Sequence, residues 1–230
     1  MYRREDLEKV IEKILEKSTP GHDIEHMLRV WNLAKQIIDG EKILAKVVVG
    51  GEKISVDEEI VYAACMLHDV GHTIYDPKDP LYVKHPIRSM EIARKVLPEI
   101  GFPEEKIPLT LEAIRLHDDT KPWGTKTKTD KREIWYVQDA DNIEALGANG
   151  LTRLILFCIP TAKMKDYIPK LSLDDPKARW ESMVHDVYAH GLEVYNNLHT
   201  NTAKTLADEG KTFMLQFVEL YIKERNLAKK

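Results

Sequence analysis

Apolar residues recur three and four positions apart along most of this chain, and that spacing constrains its fold more than any other feature. Leu7, Val10, Ile11 and Ile14 mark one face of a first helix, which the Pro20-Gly21 pair ends. Met27, Val30, Leu33, Ala34 and Ile37 do the same for a second helix over residues 23–38. Asp57 is placed to cap a third helix that runs into Leu67, His68 and Asp69. Pro86 suits the first turn of a fourth, through Leu97, and Pro103 opens a fifth that carries IRLHD. Helical patterns resume over about 131–146, 151–159, 176–198 and 201–226, with a polar loop at 119–130. One stretch has another texture. ILAKVVV and EKISV are β-favouring runs on either side of Gly50-Gly51, which predicts a small hairpin at about residues 43–56. No repeat, low-complexity tract or linker divides the chain, so residues 1–230 read as one all-α domain with an inserted hairpin.

Several function classes are excluded by composition. A net charge of −4 lacks the basic excess of a nucleic-acid binder, so no nucleic-acid polymer is expected as partner. No segment approaches the roughly 18 uninterrupted apolar residues of a membrane span. The start, MYRREDLEKV, is too charged for a signal peptide. Cys65 and Cys158, the only cysteines, lie in apolar runs and read as buried free thiols of a reducing compartment. The expected location is cytoplasmic.

The chemistry lies in the histidines. Of nine, six fall between positions 22 and 117, most of them beside acids. GHDIEHMLRV puts His22 and His26 one turn apart, with Arg29 three residues beyond His26. CMLHDVGH ends an apolar helix on His68 and Asp69, HPIRSMEIA starts a helix with His85, and IRLHDD ends one on His117. VQDADNIEAL offers Asp139 and Asp141. Adjacent ionisable groups at the end of an apolar helix cost several kcal/mol to desolvate unless they are paired or bound to metal. A mixed imidazole and carboxylate set suits Mn, Fe, Co, Ni or Zn, whereas Mg prefers oxygen alone. No Cys-x-x-Cys pair points to a closed structural zinc site.

The order His26, then His68-Asp69, then Asp141 resembles the HD-domain metal-dependent phosphohydrolase superfamily, whose ligands run H…HD…D. HDIEHMLRVWNLA resembles that family's HDxxHxxRVxxLA helix, and AACMLHDVG its AAxLHDxG. VQDADNIEALGANGLTR and TNTAKTLADEGKTFMLQF are similar to segments of one bacterial and archaeal branch. The resemblance implies an HD-type helical bundle with His26, His68, Asp69 and Asp141 as metal ligands, and Asp139 as the competing carboxylate. His85 and His117 fall where binuclear relatives hold a second metal and mononuclear ones line the phosphate pocket. The expectation adopted is the second, with one divalent cation per chain (Mn, Mg, Co, Ni, Fe or Zn). His72 matches the HDxGH variant, in which that histidine takes part in acid/base work beside Asp69.

The resulting expectation is a divalent-metal-dependent phosphohydrolase acting on a nucleotide or related small phosphoester; the branch resemblance points towards nucleoside triphosphates, with pyrophosphate as one product to consider. Arg29, His85, His117 and Lys121 are expected to bind the phosphates, because a planar guanidinium matches phosphate oxygens and ammonium or imidazole groups offset their charge. Lys126, Lys128, Lys131 and Arg132 read as a solvated loop, and Trp123 as a packing anchor or a base platform. The alternatives are a di-iron oxygenase and a non-catalytic nucleotide- or metal-binding module. Assembly into a homo-oligomer stays open.

Overall fold

The computed structural model describes residues 2–16, 21–47, 54–74, 79, 81–121, 124–161, 165–178 and 181–227 of the 230. Among the described residues the chain forms α1 (Arg4–Leu15), α2 (Ile24–Val47), α3 (Glu58–Leu67), α4 (His85–Glu99), α5 (Ile107–Leu116), α6 (Arg132–Glu144), α7 (Gly147–Thr161), α8 (Met183–Ala189) and α9 (Asn201–Asn226). Short 3₁₀ turns occupy Val70–Thr73, Tyr82–Lys84 and Glu104–Lys106, and a π-helical turn, His190–Val194, follows α8. The described residues contain no strand, only an isolated bridge between Lys165 and Ser182. The fold is all-α.

The centre of the bundle is α3. Asp57 caps it by accepting from the amides of Glu59 and Ile60, and every residue from Ile60 to Leu67 is buried. A helix that is apolar all round needs neighbours on every side. Here α2, α4, α5 and α6 supply them, with α1 across its start. Truncating a core residue such as Leu67 to Ala costs roughly 2–5 kcal/mol. The C-terminal end of α3 therefore projects its next residues, His68 and Asp69, into the middle of the molecule.

Two expectations need correction. The hairpin does not form as drawn: Ile43–Val47 continue α2, residues 48–53 lie outside the described part, and Ile54–Val56 form no strand. A short apolar run fits helix or strand equally. Extending an existing helix adds a hydrogen bond per residue fixed, whereas a hairpin must be started anew. Lys42 ties this part of α2 to the start of α3 through Glu58 at 2.7 Å. The pattern at 176–198 also begins too early. Residues 171–178 form turns, with the Lys177 amide on Asp175 Oδ1 at 2.8 Å, and the helix starts only at Met183.

The last helix packs where α2 allows a close approach. A Cβ on Gly40 would lie 2.4 Å from Thr202 Cγ2, and Thr202 donates its amide and hydroxyl to Glu41 Oε1 at 3.0 and 2.7 Å. Thr200 caps α9 by accepting from the Ala203 amide.

Candidate metal centre

Four buried histidines turn the same ring atom inward. His68 Nδ1 lies 2.7 Å from the Cys65 carbonyl, His117 Nδ1 2.7 Å from that of Ile114, and His85 Nδ1 3.2 Å from that of Tyr82. His26 Nδ1 stands 3.1 Å from Glu144 Oε2. At His68, His117 and His85 an Nδ1–H donating to the carbonyl leaves Nε2 with its lone pair, the atom a cation takes, and at His26 the carboxylate beside Nδ1 favours the same placement of the proton. The Nε2 atoms of His26 and His68 are 3.2 Å apart, and those of His85 and His117 are 3.0 Å apart. Two lone pairs facing each other repel, and a proton or a cation between them relieves the repulsion. The donor set fits a divalent metal.

Asp69 lies between the two pairs. Its Oδ2 is 3.3 Å from His26 Nε2 and 3.4 Å from His68 Nε2, while Oδ1 is 3.0 Å from His85 Nε2 and 3.2 Å from His117 Nε2. Asp141 Oδ1 adds contacts of 3.8 and 3.6 Å to His26 and His68. Four groups are each close enough to share one cation: His22, Asp69 and His72; His26, His68 and Asp69; His68, His117 and Asp141; and Asp69, His85 and His117. Asp139 faces elsewhere. It accepts from the His199 amide at 2.8 Å and from the Thr200 amide and hydroxyl at 3.0 and 2.8 Å, which holds the start of α9. Burial pushes its carboxyl up to about 7 against these donors.

His72 lies beside this set. The turn that carries it sits tightly on α4, because a Cβ on Gly71 would be 2.3 Å from the His85 carbonyl oxygen. The Gly71 amide donates to Ser89 Oγ at 2.9 Å. His72 Nε2 is 3.6 Å from Asp69 Oδ1, and its ring stacks on that of His85 with centroids 3.7 Å apart. Its Nδ1 is buried with no hydrogen-bond partner among the described residues. Burial, then the neighbouring His85 and His22 rings, push its pKa well below that of a free imidazole.

The carboxylates and the remaining cations set the field. Burial raises the Asp69 and Asp141 carboxyls, but His68 beside Asp69 and Lys121 beside Asp141 outweigh it and hold both well below the usual range. Burial likewise lowers the His68 imidazole, and the two carboxylates more than reverse this, to about 10. Lys121 Nζ lies 2.6 Å from both Asp118 Oδ1 and Asp141 Oδ2. Arg29 sits less centrally: its Nε donates to Glu144 Oε1 at 2.9 Å, and its side chain is 39% exposed.

Above the cluster opens a cavity of about 170 Å³. Asp69, His72, His85, Asp118, Lys121 and Asp141 form its inner side, with His22 and Tyr82 at one edge. Arg153 and Leu154 of α7, and Asp186 and His190 at α8, form the opposite wall. Arg29 and His117 do not line it. Sequence reasoning passed over Glu144, Asp118 and Arg153. Glu144 and Arg153 both lie within the quoted stretch VQDADNIEALGANGLTR, and Asp118 follows His117 directly.

A family model, HD domain, matches residues 23–146. The chain belongs to the HD-domain family. HD domains bind divalent metals, and the matched residues include every side chain that could hold one here except His22. YpgQ of Bacillus subtilis (strain 168), an uncharacterised protein, is 28% identical over 208 residues, which cover 90% of this chain and 86% of YpgQ. The crystal structure of an HD-superfamily hydrolase from Bacillus thuringiensis is similar over 96% of each chain, with a TM-score of 0.66 and 25% identity. B. subtilis YpgQ crystallised in complex with ADP has a TM-score of 0.63 and 25% identity over 96% of this chain and 97% of that one. The match to the HD model ends at Leu146, so Arg153, Leu154, Asp186 and His190 of the outer wall lie beyond it.

No helix among the described residues is long and apolar enough to cross a membrane.

Proposed function

We propose that this chain is a divalent-cation-dependent phosphohydrolase of the HD family that acts on a nucleotide, with a nucleoside triphosphate as substrate and pyrophosphate as one product. The observation that carries this reading is the set of inward-facing Nε2 atoms around Asp69, at the floor of a cavity that also presents Lys121 and Arg153. The complex of YpgQ with ADP supports a small phosphorylated ligand in a cavity of this kind. His26, His68, Asp69 and Asp141 would hold the cation, which when bound supplies charge to phosphoryl oxygens and makes a water nucleophilic near neutral pH.

The protein's own groups do the rest. Lys121 and Arg153 face the negative phosphates from two sides, and His85 contributes at the cavity floor with His117 behind it. Arg29 supports this region through Glu144. His72 is held neutral by burial, which weakens it as a base in the empty cavity, and its Nδ1 has no hydrogen-bond partner among the described residues. A phosphate anion beside the ring favours its charged form and raises its basicity once substrate is in place. Asp69 orients the ring from 3.6 Å.

The test is a screen of the purified protein against nucleotides with Mn, Mg, Co or Ni, with products separated by chromatography. Turnover that depends on the cation and releases pyrophosphate is expected. Absence of turnover with every pair overturns the reading and leaves a binding module. A second reading, a di-iron oxygenase, draws on the contacts of His85 and His117 with Asp69 Oδ1. Two irons per chain with dioxygen consumption would favour it over the single cation expected here.

A further inference from the structure

Glu144 is the last residue of α6, a place where the helix dipole disfavours a carboxylate. It is nevertheless buried, only 4% exposed. Burial pushes its carboxyl up, but His26, Arg153 and Arg29 outweigh this and hold it at about 2. Each oxygen meets two partners. Oε1 accepts from Arg29 Nε at 2.9 Å and from Asn149 Nδ2 at 2.6 Å. Oε2 faces His26 Nδ1 at 3.1 Å and accepts from Arg153. Three donors thus fill most of the roughly four lone-pair sites a carboxylate offers, and His26 lies against the remaining one.

The partners point in different directions. His26 turns its other ring nitrogen, Nε2, to His68 and Asp69. Arg29 reaches outward, half-exposed, towards Glu25. Arg153 lines the cavity, its stem against Gly21, where a Cβ would meet Arg153 Cγ at 3.4 Å. Arg153 Nε is buried with no hydrogen-bond partner among the described residues. Glu25 also approaches the Arg29 guanidinium, at 3.7 Å, while Glu144 holds Arg153 in place.

We propose that Glu144 is a positioning residue that sets two things at once: which nitrogen of His26 faces the cation, and the aim of Arg153 at an anionic group in the cavity. This rests on the reading of His26 as a metal ligand. On the first count, a carboxylate 3.1 Å from Nδ1 favours the proton on that nitrogen, which leaves Nε2 unprotonated and more basic. Partners of this kind change metal affinity by about 10–100-fold when removed. On the second, Arg153 released from Glu144 loses its fixed direction, and a phosphate must then order it on binding. The inference gives the cavity's anion contact to Arg153, with Arg29 acting on the far side of the same carboxylate.

The experiment uses the full chain, Mn²⁺ and inorganic pyrophosphate as probes, and calorimetry as readout. Glu144→Gln keeps the shape and removes the charge. We expect its Mn²⁺ affinity to fall by about 10–100-fold and its pyrophosphate affinity to fall as well. Long-range ¹H–¹⁵N correlation spectra of the cation-free protein should show His26 losing its preference for the Nδ1–H form. Arg153→Gln should lose pyrophosphate affinity while keeping that tautomer. If Glu144→Gln does not fold, Glu144→Asp decides, because its shorter carboxylate keeps the charge but withdraws from His26, and the same loss of Mn²⁺ affinity is expected. Parental Mn²⁺ affinity with an unchanged His26 tautomer in the folded variant overturns the proposal. Failure of the parent protein itself to bind Mn²⁺ would instead overturn the metal-site reading on which it stands.

Discussion

The two sides of the cavity are built on different terms. The inner side comes from the ends of α3 and α5, the start of α4 and the faces of α2 and α6, all within the segment that matches the HD model. Its histidines and aspartates are 6% exposed or less and answer one another at 3.0 to 3.8 Å. The outer wall comes from α7 and α8, beyond that segment, and mixes Arg153 with apolar Leu154, and Asp186 with His190 at the π-helical turn. The difference teaches where a change should act. A closely coupled cluster buried around one carboxylate has no spare member, whereas a wall of separate contacts yields by degrees.

The sharpest break in this comparison comes from two neighbouring carboxylates. Asp139 and Asp141 are two residues apart on α6, so they face different sides of the helix. Asp69→Ala, His68→Ala and Asp141→Asn are expected to lose cation and turnover together, down to background, with helical content retained. Asp139→Asn should keep the cation but lower the melting temperature, since it weakens the three donors that hold the start of α9. A loss of about 1–3 kcal/mol is the usual scale for such a site. Elemental analysis with thermal unfolding on the four variants decides. The reverse pattern at the two α6 positions would show that the ligand is the other aspartate.

His72 is inside the inner side yet not among the expected ligands. His72→Ala should hold its cation and lose kcat by about 10²–10⁴-fold, the range of a general acid or base. KM should change less, because proton transfer is realised mainly in the transition state. Steady-state kinetics and metal content on this variant give the answer; a parental rate would reduce His72 to a packing neighbour of His85.

How much of this could be read in the chain follows the same division. The span 201–226 reads correctly because its periodicity is a local signal. The Asp57 cap and the end of α3 at His68-Asp69 are local too. The hairpin misreads because Ile43–Val47 carries no local cue that separates a buried strand from a helix end, and three of those residues (Ile43, Leu44, Val47) stay exposed. Glu144 escapes notice because its partner Arg29 is 115 positions away and a glutamate at a helix end looks ordinary. Asp139 is assigned its place by where α9 lands, which no spacing on α6 reveals. Arg29 shares the expected helix with His26, but its direction is set by Glu144.

Protons probe the inner side through His68. In the cation-free protein Asp69 and Asp141 lift His68 from 6.5 to about 10. Stability from protonated His68 is therefore fully present below about pH 6.5 and is lost as pH rises through about 10. A cation needs the neutral ring, so its binding should release this proton anywhere below about pH 10, and its affinity should fall as pH falls, by up to about tenfold per pH unit. Mn²⁺ titrations near pH 7 in two buffers of different ionisation enthalpy should differ in apparent heat by about one proton per cation. Identical heats would mean that His68 is already neutral or stays away from the cation.

The smallest effect belongs to the outer wall. Leu154 is half-buried on α7 and lines the cavity opposite the cluster, where an apolar surface can cover part of a nucleoside. Leu154→Ala keeps the helix, since alanine is the best helix former, and touches no charged group of the cluster. What it removes is apolar contact, at about 0.8 kcal/mol per buried methylene, which corresponds to a rise in KM of about fourfold for one methylene's worth of contact. A contact made equally in the ground and transition states changes KM and leaves kcat in place. Cation affinity should equal that of the parent. Should Leu154→Ala instead lower kcat as steeply as His72→Ala, the outer wall would share in the chemistry, and the division between a coupled floor and a graded wall would have to be abandoned.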